Sequence, residues 1–212
     1  MSMDAALLSR TPARTDRDER REAILKVALA AFLSDGYAAT SMSSIAARVG
    51  GSKATLYYYF PSKEELFLAV IDEKCRDAHA TLADLLADVG DFPHTLRTLA
   101  DTLIRMILDD NSIAIRRLIT AESARFSELG RGFYACGRER GIATLTEFFA
   151  RAQRAGGLKP ARPKDMTLTL LGLCEGELLI QKLWNVNPDP AEEEIEAAID
   201  HTVSVFLAAY GA

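Results

Sequence analysis

The chain has 212 residues, 49% apolar and 26% charged, with a formal net charge of −5, which is an ordinary globular composition with enough length to bury a core. Its three scattered cysteines, Cys75, Cys136 and Cys174, exclude a disulfide framework and fit a reducing compartment. The first residues lack the apolar stretch of a signal peptide, and the most apolar run, 166–180, is too short to span a bilayer and carries Glu175; a soluble cytoplasmic protein is expected.

Charge is distributed unevenly. Residues 1–66 carry +1 and the remainder −6, and Arg10, Arg14, Arg17, Arg20 and Arg21 fall within twelve residues. A weakly basic head on an acidic body suits a protein whose small domain alone meets phosphates. The arginines have two readings, entry into a minor groove or plain solvation among Asp16, Asp18, Glu19 and Glu22.

Helical periodicity runs through nearly the whole chain and no segment sustains strand alternation, so the fold class is all-α with about nine helices. Residues 1–14 read as a flexible arm. Thr15 with Asp18 resembles a capping box, and Ile24, Leu25, Ala28, Ala31 and Phe32 make one stripe of a first helix that Gly36 ends. Thr40 or Ser41 caps a short helix over 42–49, and Gly50-Gly51 supplies a tight turn. Ser52 caps a very short helix that Pro61 stops, and Ser62 with Glu65 opens a long fourth helix.

In the remainder, Pro93 starts a helix and Asp110-Asn111 caps another running to about Phe126. Glycines at 130, 132, 137 and 141 blur the next start, but 142–155 is helical. Pro163 opens a helix through Trp184, and Asp189, Pro190 and Glu192 signal the last one, with Ile195, Ile199, Val203 and Phe206 in line. The domain division is therefore 1–14 arm, 15–62 head and 63–212 body.

The informative stretch is TSMSSIAARVGGSKATLYYYFPSKEEL, residues 40–66. Two short helices across a glycine turn match helix-turn-helix geometry, whose second helix enters a major groove. Tyr57, Tyr58, Tyr59 and Phe60 are consecutive, and each step turns about 100° around a helix. Four successive rings cannot share one core, so at least one or two tyrosines face outward, where a hydroxyl can donate to a phosphate oxygen.

The helix ILKVALAAFLSDGY, the TSMSSIAARVG helix, the SKATLYYYF helix and the SKEEL entry together resemble the DNA-binding domain of TetR-family bacterial repressors. The segment RLITAESARFSELGRGFYACG resembles a regulator subgroup within that family. The resemblance implies a non-enzymatic, homodimeric regulator of double-stranded operator DNA that needs no cofactor or membrane. It places Ser43, Lys53 and Ala54 at base edges, and Thr40, Ser41, Ser52, Thr55, Tyr57, Tyr58, Tyr59 and Lys63 at phosphates. Ala54 stands where many relatives have glycine and Tyr59 where histidine or arginine is common.

The resemblance also implies a ligand pocket in the body, with Met106, Ile107, Phe126, Phe133, Tyr134, Phe148, Phe149, Met166 and Trp184 as candidate walls for a small lipophilic molecule, although apolar residues at helical spacing more often belong to the core. A four-helix dimer interface is implied over about 163–186 and 190–210, with Gly172, Gly176, Ile199, Val203 and Phe206 as candidates. For Glu175 and Glu177, exposure, pairing with Lys182 or an arginine, and ligand contact all stay open. His79, His94 and His201 lack metal-ligand spacing, and no nucleophile elbow or phosphate-cradling glycine loop occurs. A helical protein-interaction module, an activator with the same head and an enzyme with a hidden site are the alternatives.

Overall fold

A computed structural model describes residues 15–87 and 90–212. The expected arm, with Arg10 and Arg14, lies outside the described residues. The helices are α1 (Asp16–Asp35), α2 (Met42–Val49), α3 (Lys53–Tyr59), α4 (Lys63–Leu85), α5 (Phe92–Leu108) and α6 (Asp110–Glu122). They continue with α7 (Ser127–Phe133), a π-helical turn (Tyr134–Glu139), α8 (Arg140–Arg154), α9 (Pro163–Cys174), α10 (Glu177–Leu183) and α11 (Glu192–Tyr210). The all-α class holds, with eleven α-helices among the described residues where the periodicity suggests about nine.

Local signals set most boundaries. The Thr15 hydroxyl accepts from the Asp18 N–H and the Asp18 carboxylate accepts in return, closing the capping box of α1. Ser41 caps α2, Ser52 caps α3 and Ser62 caps α4, each accepting from the N–H three residues on. Gly50 ends α2 at φ 70°, ψ 39°, left-handed backbone that a side chain would strain.

Four boundaries differ from expectation. The helix over 163–184 is two helices, because the chain turns at Glu175 and Gly176 between α9 and α10. Asp109, one residue earlier than expected, caps α6 through its carboxylate. The last helix starts after Ala191, whose N–H donates to the Glu194 carboxylate at 2.8 Å, so Asp189 and Pro190 precede it. The glycine-rich stretch is helical; a Cβ on Gly132 would overlap Leu68 Cδ2, so the missing side chain lets α7 lie close against α4.

Two apolar clusters form. One joins α1, α2 and α3 to the first half of α4 and to Ile115, Ile119 and Leu129 of α6 and α7. The other joins the end of α4 with α5, α8, α9, α10 and α11. A ladder of rings, Phe92, Phe148, Phe149, Phe206 and Tyr210, runs through the second with successive centroids 5.1–6.2 Å apart. No helix among the described residues is long and apolar enough to cross a membrane.

Candidate nucleic-acid interface and groove

The first cluster decides which faces of α2 and α3 are free. Ile45 and Ala46 are buried from α2, and Leu56 and Phe60 from the α3 turn. That leaves Ser43, Lys53, Ala54, Thr55, Tyr57 and Tyr58 on the outside of the molecule, with Tyr59 half-buried. Tyr58 is the extreme case, 69% exposed, and its ring meets Tyr59 edge-on at 5.4 Å. The consecutive rings thus divide as helix geometry demands.

Cations surround these rings. Lys53 Nζ lies 5.7 Å from the Tyr57 centroid and the Arg17 guanidinium 5.6 Å from that of Tyr58. Arg21 lies over the Phe60 ring at 5.4 Å, while Arg20 would collide with a Cβ on Gly51. Arg17, Arg20 and Arg21 thus lie on α1, as the capping box at Thr15 predicts, and pack on the α3 side of the head. Ser52 and Thr55 share a hydrogen bond of 2.8 Å at the exposed start of α3.

Two expected phosphate contacts are engaged elsewhere. Thr40 is 2% exposed and its hydroxyl donates to the Ala31 and Gly36 carbonyls at the end of α1, so its side chain is out of reach of a phosphate. Lys63 Nζ donates to the Tyr37 and Thr40 carbonyls at 2.9 and 3.1 Å and sits 4.3 Å from the Tyr37 centroid. Tyr37 is a residue that sequence reasoning passed over. It is fully buried and meets Phe67 and Phe126 edge-on and Phe32 at a tilt, with centroids 5.1–5.6 Å apart, joining the head to α4 and to the start of α7.

A groove of about 500 Å³ opens where α4, α7, the π-helical turn and α8 meet. Its lining is Leu68, Asp72, Gly132, Ala135, Cys136, Glu139, Arg140 and Ala143, mostly apolar with the Asp72–Arg140 ion pair at 3.4 Å. None of the expected pocket residues lines it. Phe148 and Phe149 are fully buried members of the ring ladder, and Met166 is fully buried beside them. Met106 is half-buried and Ile107 belongs to the same body core. Phe126 and Phe133 pack on the head cluster, and Tyr134 and Trp184 are 53% and 71% exposed.

The dimer candidates divide in the same way. Ile199 and Phe206 are buried in their own protomer and Val203 packs on that core, because their stripe faces inward. Gly172 and Gly176 are exposed, beside outward Leu168, Ile180, Trp184, Val186 and Val205. Glu175 pairs with Arg138 at 2.6 Å and lies 3.7 Å from Arg116, while Glu177 is exposed and Lys182 pairs with Asp110 instead. Among the described residues no group of three or more His, Cys, Asp or Glu is placed to hold a metal ion.

The model of the tetR family of bacterial regulatory proteins matches residues 24–70, and that of the AefR-like transcriptional repressor C-terminal domain matches 94–212. The chain belongs to the TetR family. Its function at that level is DNA-binding transcriptional regulation. A solved TetR-family regulator from Mesorhizobium loti superposes with a TM-score of 0.85 at 30% identity, over 94% of this chain and all of that one. The flavonoid-responsive regulator FrrA is 34% identical with a TM-score of 0.76, over 91% of this chain and 97% of its own. Among curated relatives, the transcriptional activator FasR of Mycolicibacterium smegmatis is 36% identical over 98 residues, 46% of this chain and 45% of FasR. EthR of the same organism is 24% identical over 204 residues, 94% of this chain and 93% of EthR.

Proposed function

We propose that this TetR-family chain is a homodimeric repressor that binds a palindromic operator through residues 40–63 and is released when a small apolar molecule fills the groove beside α4. The division of labour falls at residues 62 and 63, with 15–62 as reader and 63–212 as sensor and dimer body. The outward placement of Lys53, Tyr57 and Tyr58 on the short α3 carries the reading. A helix of seven residues covers only a half-site, which is why two copies and a palindrome belong to the same proposal. Base readout rests on Lys53, whose ammonium can donate to guanine O6 or N7, with Ser43 and Ala54 beside it. Ser41, Ser52, Thr55, Tyr57, Tyr58 and Tyr59 supply phosphate contacts.

For the dimer seam, the outward line Leu168–Gly172 on α9 and the small exposed apolar residues Ala197, Val205 and Ala208 on α11 form the favoured face, with His201 a polar member among them. A contiguous apolar surface of that kind marks a protein-binding site. For the ligand, a groove walled by Leu68, Ala135 and Ala143 with polar groups at Asp72 and Arg140 fits a flat, largely apolar molecule with a few hydroxyls. The flavonoid response of FrrA supports that class. FasR, an activator, gives the second reading, in which the same head recruits rather than blocks transcription.

The test is selection of genomic fragments by the purified protein at two or three salt concentrations. Enrichment of one short palindrome, weakening steeply with salt, is the expected result. A well-folded dimer that enriches no sequence at any salt refutes the operator reading and favours a protein-interaction role.

A further inference from the structure

Three candidates outside the reading face invite a function: the Glu175–Arg138–Arg116 cluster, the outward apolar line on α9 to α11, and a pair of thiols of which one lines the groove and the other is buried beside it. The thiols carry the argument furthest. Cys75, on α4, and Cys136, in the π-helical turn, are 61 residues apart in sequence, yet their sulfurs approach to 3.1 Å. Both are free thiols; Cys75 is buried, while Cys136 is half-buried and lines the groove. The site is built to keep them together. His79, one turn after Cys75, bonds through Nε2 to the Cys136 carbonyl at 2.7 Å, fixing the turn on α4. A π-helical turn within a longer helix is an interruption that recurs at functional sites.

We propose that Cys136 and Cys75 form a hydroperoxide-oxidised dithiol whose disulfide ties α4 to the π-helical turn and alters DNA binding, the last part resting on the operator reading above. The two sulfurs have different tasks. Cys136 meets solvent through the groove, and the neighbouring Cys75 thiol donates to its sulfur and holds its pKa below the usual thiol range. Cys75 is shifted the opposite way by that same contact and by burial. Cys136 is therefore the attacking thiolate and Cys75 the resolving thiol.

The chemistry balances with a hydroperoxide as oxidant. The Cys136 sulfur attacks the peroxide oxygen, the O–O bond breaks, and the departing alkoxide takes a proton to leave as an alcohol, or as water from hydrogen peroxide. The Cys75 sulfur then attacks the Cys136 sulfenic acid, the S–O bond breaks, and hydroxide leaves with the Cys75 proton as water. Two thiols lose two electrons and two protons, and the peroxide is reduced. Bond formation draws the sulfurs from 3.1 Å to about 2.05 Å, so the middle of α4 moves by about 1 Å toward the turn or the turn moves to meet it. In a reducing compartment such a bond is transient and reversible by dithiol exchange, as a sensor requires.

The test treats the reduced full-length protein with a small excess of hydrogen peroxide, followed by alkylation, intact mass and peptide mapping. Expected are a loss of two hydrogens, a Cys75–Cys136 linked peptide, and a Cys174 that still alkylates once unfolded. Burial pushes the Cys174 thiol up to about 12, which makes it the internal control. Cys75→Ser should stop at a dimedone-trapped sulfenic acid on Cys136, and Cys136→Ser should leave Cys75 reduced. If Cys75→Ser misfolds by circular dichroism, the wild-type peptide map decides. Over-oxidation of Cys136 with Cys75 still free, or inertness of both, overturns the dithiol. On the selected operator, oxidation should weaken binding at least tenfold, with recovery in dithiothreitol and no effect on Cys136→Ser. Equal binding in both states overturns the coupling to DNA. A reduced protein that binds no DNA faults the operator reading, and the mass spectrum still decides the thiol chemistry.

Discussion

Lys63→Met separates two roles for a lysine at the edge of the reading face. In the structure its ammonium closes the link between α1 and α2, with hydrogen bonds to the Tyr37 and Thr40 carbonyls and a place over the Tyr37 ring. A hydrogen bond from a charged donor contributes about 1.5–3 kcal/mol, and a cation over an exposed ring about 0.5–1 kcal/mol. The carbonyls belong to buried residues, but Lys63 itself is only half-buried and its ammonium gives up hydration to make these bonds, so about 2–3 kcal/mol is the net cost. Methionine keeps the aliphatic stem against the ring, which isolates the charge. For a chain of this size that cost lowers Tm by about 4–12 °C, read by calorimetry on the DNA-free protein. The slope of log affinity against log salt should stay unchanged, because the ammonium is not spent on phosphate. An unchanged Tm together with a salt slope smaller by about one would return Lys63 to the phosphate contacts and refute the structural assignment.

Other substitutions probe the remaining assignments. Tyr58→Phe should weaken binding to all sequences about equally, and Lys53→Ala should relax sequence preference, each with a Tm change within about 0.5 kcal/mol of stability since both side chains are exposed. Phe149→Ala opens the ring ladder and should cost about 3–5 kcal/mol, read as a large Tm loss; a pocket-wall residue would change ligand affinity with little loss of Tm. Val205→Glu should give a monomer by light scattering with a folded protomer, whereas a dimer that persists removes the outward line of α11 from the seam. Gly141→Ala, with nothing within 4 Å of the added Cβ, should stabilise by about 0.5–1 kcal/mol.

The head was legible because its signals are local. Ser41, Ser52 and Ser62 each bond within one turn, Gly50 needs positive φ, and the four consecutive rings divide by the 100° step alone. The body was less so, since its apolar residues serve several faces at once. Choosing pocket walls by ring size selects Phe148 and Phe149, but large rings gain most from stacking on one another and fill the core. The groove is walled instead by Gly132, Ala135 and Ala143, whose small side chains are what leave space. Along α11 the same reasoning favours Ile199 and Phe206, which face inward, over the smaller outward residues. The turn at Glu175 and Gly176 is hidden because the apolar run continues across it.

Helix α4 connects these observations. Leu66, Phe67, Val70, Ile71 and Cys75 bury one face of it in the head cluster, and Leu82 buries its far end in the body. Leu68 and Asp72, a turn apart on a neighbouring face, line the groove. At about 1.5 Å per residue its 23 residues reach about 35 Å, so one rigid element meets reader, groove and body. On the release mechanism proposed above, a ligand that lowers operator affinity a hundredfold must favour the released placement of α4 over the bound one by about 2.7 kcal/mol. At about 25 cal/mol per Å² that is about 110 Å² of apolar surface buried in one position and not the other. A bicyclic or tricyclic molecule in a groove of about 500 Å³ has that much surface to spare, and Leu68 is the α4 side chain placed to register it. Thermodynamic linkage then requires operator DNA to weaken ligand binding by the same hundredfold, so the free protein is the better target for a ligand search than the DNA complex.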